Sequence, residues 1–365
     1  MWWCLAAVAH DHCGVVARVW QPEVALRYQE EGMQGDGDND KMFLLGHPSL
    51  ARTATSEYVL ALLPDSPLPL QHYPSQTHNR ESVSEGSDRI LCLISTSPKY
   101  HETRAQHVAA TWAPHCKRAV FLTTQKDPLL PDILITPGAN TYNQLWNKVT
   151  QGFEWAYNHR DEFDWVVKAD DDTFLLVENL QAAVRGLDPL QPQATGVHLR
   201  TWDRGSTYLN GGAGYVLSRG AVIKLVESGL QKHQCDHNLS LGTGEDVNMA
   251  DCLAYLGVEL LDSRDSSGRH RFNIYPPQEL VDPRQAHNIR HLWLKQISIF
   301  PYKFGYAELS DEVISFHYVD SQSMYLLYYL VYLLNPQGNL RSYSPSPLQP
   351  TPQPASLSKS PPVYP

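Results

Sequence analysis

Asp170, Asp171 and Asp172 stand side by side directly behind DWVVKA (164–169), a near-continuous apolar run that suits a strand covered on both faces. Such a run of like charge reads most simply as a solvated turn. At the end of a buried strand it has a second reading: an Asp-x-Asp pair can hold a divalent cation against a diphosphate, and the cation removes the repulsion by neutralising both. An EF-hand loop fails on spacing, because counting from Asp170 puts Leu175 where that loop needs glycine and Gln181 where it needs its closing glutamate. No P-loop is present, and GGAGYVLS (211–218) has Leu217 where a dinucleotide fingerprint needs its last glycine.

The elements that must position these carboxylates are visible on either side. RILCLIS (89–95) and AVFLTT (119–124) have strand length, and between them Ala105, Val108, Ala109 and Trp112 recur at the spacing of one helix face. Leu145, Val149, Phe153 and Ala156 mark a second helix ahead of strand 164–169, and Thr173 to Val177 begin another apolar run. Alternation of strand and helix predicts an α/β fold with a mostly parallel sheet and right-handed crossovers. Ligands of such sheets bind beyond the carboxyl ends of the strands, where the aspartates fall.

With 365 residues, 42% of them apolar, the chain can bury a substantial core. Residues 1–87 carry turn-rich polar text such as GDGDND and read as a stem-like or poorly ordered region; the Pro/Ser-rich residues 335–365 read as a disordered tail. The folded domain is expected over 88–334. A net charge of -10 gives no footprint for nucleic acid. Six cysteines without a CxxC pair argue against a thiolate zinc site, and the pairs 92/116 and 235/252 fit disulfides. A sequon at Asn238 sits between the second pair, as a glycosylated lumenal loop would, so the secretory pathway is expected. The first residues, MWWCLAAVAHDHC, show no basic n-region and only a short apolar run, so no signal or anchor is legible there. MYLLYYLVYLL (324–334) is too short to span a bilayer and reads as a buried helix or an interfacial element.

Six stretches in order, ETRAQHVAATW, QLWNK, FDWVVKADDDTF, YLNGGAGYVLS, GEDVNMADC and SFHYVDSQSMYLLYYLVY, resemble the core 1 β1,3-galactosyltransferases, a group of β1,3-glycosyltransferases with a GT-A-like, Rossmann-type sandwich fold. The resemblance covers about 88–335. It implies inverting transfer of galactose from UDP-galactose to the 3-hydroxyl of N-acetylgalactosamine on serine or threonine of a glycoprotein, with manganese (Mn2+), in the Golgi lumen as a type II membrane protein. A homodimer is the expected assembly.

Carried over position by position, Asp170 to Asp172 match the metal and nucleotide-sugar motif, with Asp172 and Asp170 as ligands and Asp171 beside the nucleotide. His317 in SFHYVD matches the histidine that completes the metal site; taken alone, it would read as a structural histidine at a strand end. Asp246 in GEDV matches the catalytic base, with Glu245 its neighbour, and Asp246 also fits a helix N-cap or first-turn acid ahead of VNMADCLAYL. Carboxylate and imidazole ligands together suit manganese better than zinc. The resemblance puts Arg104 and Lys148 against the nucleotide, although amphipathic helices would equally leave them solvated. Gly211 and Gly212 permit close backbone approach to a sugar, or simply a tight turn. Tyr208, Tyr318 and Trp293 read as acceptor-wall or stacking residues, or as core.

The chain departs from its relatives in having PYKFGYAELSDEV where many carry adjacent cysteines, and Asn143 where they carry an acidic residue. Weaker nucleotide affinity is expected from the latter. Two rival readings are another β1,3-glycosyltransferase with a different donor or acceptor and a non-catalytic chaperone-like relative. The surviving aspartate triplet, GEDV acids and histidine argue against the chaperone.

Overall fold

The computed structural model describes residues 89–138, 141, 144–202, 205–235, 244–334 and 349–350, all within one compact unit spanning Leu70–Pro365. The 1–87 stem, most of the 335–365 tail, the sequon at Asn238 and Asn143 lie outside the described residues.

The strands in chain order are β1 Ile90–Ser95, β2 Arg118–Thr123, β3 Ile133–Ile135, β4 Trp165–Asp170, β5 Phe174–Leu175, β6 Gln193–Gly196 and β7 His198–Arg200. They continue as β8 Thr207–Leu209, β9 Tyr215–Ser218, β10 Glu259–Asp262, β11 Phe272–Asn273, β12 Ser315–Phe316 and β13 Gln349–Pro350. The main sheet runs β13-β10-β6-β9-β4-β1-β2-β3. β1 is parallel to β2 and β4, as strand and helix alternation predicts, and β2 to β3 and β6 to β10 extend the parallel pairing beyond the strands read from the sequence. β9 enters antiparallel between β4 and β6, which local alternation does not reveal. β13, from the tail, pairs antiparallel with β10.

Each central strand is buried on both faces, and its alternate residues feed different cores. Ile90, Cys92 and Ile94 of β1, with Trp165, Val167 and Ala169 of β4, join Ala105, Val108, Trp112, Val177, Leu180 and Val184 on one side. Leu91, Leu93 and Val166 join Trp146, Val149, Phe153 and Ala156 on the other. The result is a three-layer sandwich. The α-helices of five residues or more are α1 Gln106–Ala110, α2 Leu145–Asn158, α3 Val177–Val184, α4 Arg219–Lys224, α5 Glu245–Tyr255, α6 Ile289–Ile297 and α7 Ser321–Tyr328. A wider π-turn, His101–Ala105, precedes α1. Two expected face residues, Ala109 and Leu145, are only half-buried; Trp146 takes the place assigned to Leu145.

Strand order β2-β1-β4 creates a switch point, since the chain leaves β1 for β2 on one side while β4 lies on the other. Ser95 and Asp170 are partners at the carboxyl end of that ladder. The aspartate triplet therefore opens the crevice where this architecture binds ligands.

The apolar run 324–334 is helical but not buried. Met324 points into the core, while Leu326 and Tyr329 are 56% and 48% exposed, and the helix continues as a π-turn over Tyr329–Leu333. Among the described residues no helix is long and apolar enough to cross a membrane.

Both expected disulfides form, Cys92–Cys116 and Cys235–Cys252. The first ties β1 to the segment entering β2 and closes a separation of 24 residues. Replacing both of its cysteines by alanine is expected to lower unfolding free energy by about 3 kcal/mol, through the extra freedom of the unfolded chain. Urea denaturation measures it; an unchanged midpoint would contradict it.

Candidate active site

Two sheets bring the charged residues together. In the small sheet β12 pairs antiparallel with β5, with Phe316 opposite Phe174 and Ser315 opposite Leu175. Continuing that register carries His317 back toward the triplet, and the backbone N–H of Val319 donates to the carbonyl of Asp172 at 2.9 Å. The N–H of His317 donates to the carbonyl of Asn273 on β11 at 3.0 Å. The buried Arg271 guanidinium braces the approach to β12 through Glu312.

The outcome is a cluster in which one ligand atom each from Asp170, Asp172 and His317 lie within 4.8 Å of one another. His317 Nε2 stands 3.2 Å from Asp172 Oδ1. Its Nδ1 is buried with no hydrogen-bond partner. The donor set of two carboxylates and an imidazole fits a divalent cation of the manganese or magnesium type, because hard oxygen ligands dominate it and the surrounding carboxylates carry excess negative charge.

Arg104 is half-buried and paired rather than free in solvent. Its Nη1 lies 3.0 Å from Asp172 Oδ2 and 3.4 Å from Asp171 Oδ1, with its guanidinium over the Tyr100 ring. Burial would raise the Asp172 pKa, but His317 and Arg104 outweigh it and hold the carboxyl below its usual range. Asp171 is pushed up to about 7 by burial and by neighbouring Asp172, against a 2.7 Å hydrogen bond from Thr96 Oγ1 and the Arg104 charge. Lys148 is likewise buried. Its Nζ donates to the Thr96 carbonyl at 2.6 Å, and burial lowers its pKa despite Asp171 and Asp170. Thr96, at the end of β1, thus joins Asp171 to Lys148.

Across the site, Glu245 and Asp246 form the first turn of α5, as the helix reading of GEDV expects. Their environments separate them. Glu245 is buried with Oε1 accepting from the Tyr215 hydroxyl and Oε2 facing Lys168 Nζ at 3.4 Å. Asp246 is half-buried, with Oδ2 accepting from the N–H of Gly211 at 2.9 Å and Oδ1 from its own helix at Val247. Burial raises the pKa of both, opposed at Glu245 chiefly by Lys168 and at Asp246 chiefly by the Gly211 N–H.

The glycines support side chains. A Cβ on Gly212 would fall inside contact distance of Cε1, Nδ1 and Nε2 of His317, so the bare backbone there makes room for the imidazole. Its carbonyl accepts from Thr173 Oγ1 at 2.7 Å, and the next carbonyl, Ala213, accepts from Ser315 Oγ at 2.6 Å. Gly212→Ala is expected to move the imidazole and weaken divalent-cation binding about 10- to 100-fold, the usual effect of disturbing a ligand's support. Titration with manganese followed by electron paramagnetic resonance reads this directly; unchanged affinity would contradict the assignment.

Tyr318 is partly exposed and stacks on His317 with ring centroids 3.9 Å apart. Its φ of 55° is in the left-handed region, a strained conformation for an aromatic residue. Trp293 and Tyr208 are half-buried and pack against the hydrophobic core, as their plainer reading expected. Trp293 Nε1 donates to the Tyr275 hydroxyl at 2.9 Å, and the Tyr275 ring lies 6.2 Å from that of Tyr318. Trp293 thus reaches the site through two intervening rings.

Sequence reasoning passed over Lys168, Tyr215, Thr96 and Thr173. Lys168 had a signal, being a charge inside an otherwise apolar strand; the hydroxyls had none.

The chain matches the Fringe-like family over residues 85–299, a range that contains Asp170–Asp172, Glu245 and Asp246 and ends before His317. It is 33% identical over 287 residues to glycoprotein-N-acetylgalactosamine 3-beta-galactosyltransferase 1 of Xenopus laevis, covering 78% of each chain. A beta-1,3-glucosyltransferase of Mus musculus is 26% identical over 182 residues, covering 48% of this chain and 35% of that one. Among solved structures, the apo-form glycosyltransferase GlyE of Streptococcus pneumoniae is 12% identical, covering 68% of this chain and 61% of that one with a TM-score of 0.36. At that score no likeness of architecture follows.

Proposed function

The chain belongs to the Fringe-like family, among the core 1 β1,3-galactosyltransferases, and from that premise we propose that it moves galactose from UDP-galactose to the 3-hydroxyl of N-acetylgalactosamine on a glycoprotein, with inversion and with manganese. Family membership makes it a glycosyltransferase, with a nucleotide-sugar donor and a glycosylated acceptor. One observation supports metal-assisted transfer with a general base: Asp170, Asp172 and His317, which could together hold a divalent cation, sit at the switch point of the sheet, and a half-buried carboxylate, Asp246, is held in the same site.

Asp170, Asp172 and His317 would hold the divalent cation, which when bound supplies Lewis acidity and charge neutralisation to the departing diphosphate. Arg104 and Lys148 bring positive charge to the nucleotide side, next to Asp171 and Thr96. Asp246 accepts the proton of the attacking hydroxyl. Glu245 has both oxygens engaged by Tyr215 and Lys168, and so serves to fix the helix that carries Asp246. A screen of UDP-sugars against glycopeptide acceptors tests the assignment. Transfer from UDP-galactose to a GalNAc-peptide is expected, and UDP binding without that product would contradict it. The match to a beta-1,3-glucosyltransferase places UDP-glucose in the same screen.

The base must be ionised to work. Burial raises the Asp246 pKa, so activity is present above that raised value and lost as pH falls through it. The acid limb of kcat is therefore expected above the ordinary carboxylate value of about 4. A pH-rate profile measures it, and a limb at or below that value would contradict the role. The two disulfides support an oxidising, lumenal compartment; a Golgi location and a homodimer are proposed beside it, testable by fractionation and by sedimentation.

A further inference from the structure

Lys168 is a buried ammonium in the middle of an apolar strand. Strand alternation sends it out of β4 on the same face as Asp170, and its partner across the antiparallel ladder is Tyr215. Its Nζ donates to Asp170 Oδ1 at 2.8 Å and to the carbonyl of Gly211 at 3.3 Å, and it lies 3.4 Å from Glu245 Oε2. The remaining oxygen of Glu245 accepts from the Tyr215 hydroxyl. A single charge thus touches the end of β4, the 210–214 loop and the first residue of α5.

Those three segments are the two halves of the site. Gly211 is the joint between them, because its carbonyl is held by Lys168 while its N–H donates to Asp246 Oδ2 at 2.9 Å. The packing there is tight: a Cβ on Gly211 would lie 3.3 Å from both Lys168 Nζ and Asp246 Cβ. Stability does not explain a lysine at this position, since well-packed apolar residues serve as well as a buried ion pair or better.

We propose that Lys168 is a positioning residue that fixes Asp246 and the start of α5 relative to the cation-binding carboxylates, an inference that rests on the transferase reading above. The charge acts through Gly211 and Glu245 and touches neither the attacking hydroxyl nor the departing diphosphate. Displacing a reacting group by about 1 Å costs on the order of 100-fold in rate, so releasing this joint slows the chemical step without removing a ligand.

The test compares Lys168→Met with the charge-balanced pair Lys168→Met/Glu245→Gln, which leaves no buried charge alone and so folds where the single substitution does not. In each folded variant kcat for UDP-galactose and a GalNAc-peptide, at saturating manganese, is expected to fall about 10- to 100-fold. Manganese affinity, read by electron paramagnetic resonance, is expected to hold or tighten, because a positive charge 2.8 Å from Asp170 Oδ1 has gone. A folded variant with unchanged kcat overturns the proposal. A tenfold or greater loss of manganese affinity also overturns it, by making Lys168 part of the cation site itself. The affinity arm needs no turnover, so it judges Lys168 even where inactive unsubstituted protein would count against the transferase reading alone.

Discussion

Asp172→Asn is expected to abolish manganese binding to the site and to slow transfer by about 100- to 1,000-fold, the effect typical of removing one electrostatic partner of a charged transition state. Both carboxylate oxygens are committed: Oδ1 faces His317 Nε2 at 3.2 Å and Oδ2 faces Arg104 Nη1 at 3.0 Å. His317 and Arg104 hold this carboxyl below its usual range even though it is buried. Asparagine keeps the shape but deletes the charge, and its amide nitrogen would turn a donor toward either the guanidinium or the imidazole. The fold should survive, because the backbone carbonyl of Asp172, which receives Val319 N–H, is untouched. Manganese resonance and initial transfer rates on the same sample check both halves. Retained binding with lost transfer would move the metal assignment elsewhere.

Asp246→Asn has a different expected signature. General-base assistance contributes about 100- to 10,000-fold, so kcat should drop by that amount while UDP affinity stays within about twofold. The amide oxygen keeps one of the two backbone hydrogen bonds, from Gly211 N–H or Val247 N–H, while the amide nitrogen faces the other donor, so a thermal melt of the variant accompanies the kinetics to separate a local shift from loss of the base. Since the ligand carboxylates and the base lie on separate elements, the end of β4 with the turn after it and α5, loss of the base should spare cation and UDP binding. A kcat unchanged in the variant would remove Asp246 from the chemistry and leave it as a first-turn acid of the helix.

How much of this was readable in the residue order follows from how local each feature is. β1 and β4 declared themselves because strands buried on both faces are continuously apolar, and the carboxyl end of β4 put the aspartates at the right edge of the sheet. The antiparallel insertion of β9 was hidden, since its partners β4 and β6 are remote in sequence and no turn announces the pairing. His317 is legible only through its motif; what places it is the two-residue ladder between β5 and β12, in which Phe174 pairs with Phe316 far along the chain, a pairing no periodicity could show. Arg104 and Lys148 read equally as nucleotide contacts or as solvated helix positions, because position on a helix does not say what the crevice beside it contains. Of the two readings of 324–334, a buried helix or an interfacial element, burial fails because apolar composition is compatible with an exposed helix face.

The central claim is that Asp170, Asp172 and His317 hold a divalent cation against the diphosphate of a sugar nucleotide. Calorimetric titration of UDP into the unsubstituted protein, with manganese and again with a chelator, tests it most directly. At least tenfold tighter binding with manganese is predicted, and equal affinity under the two conditions would contradict the account.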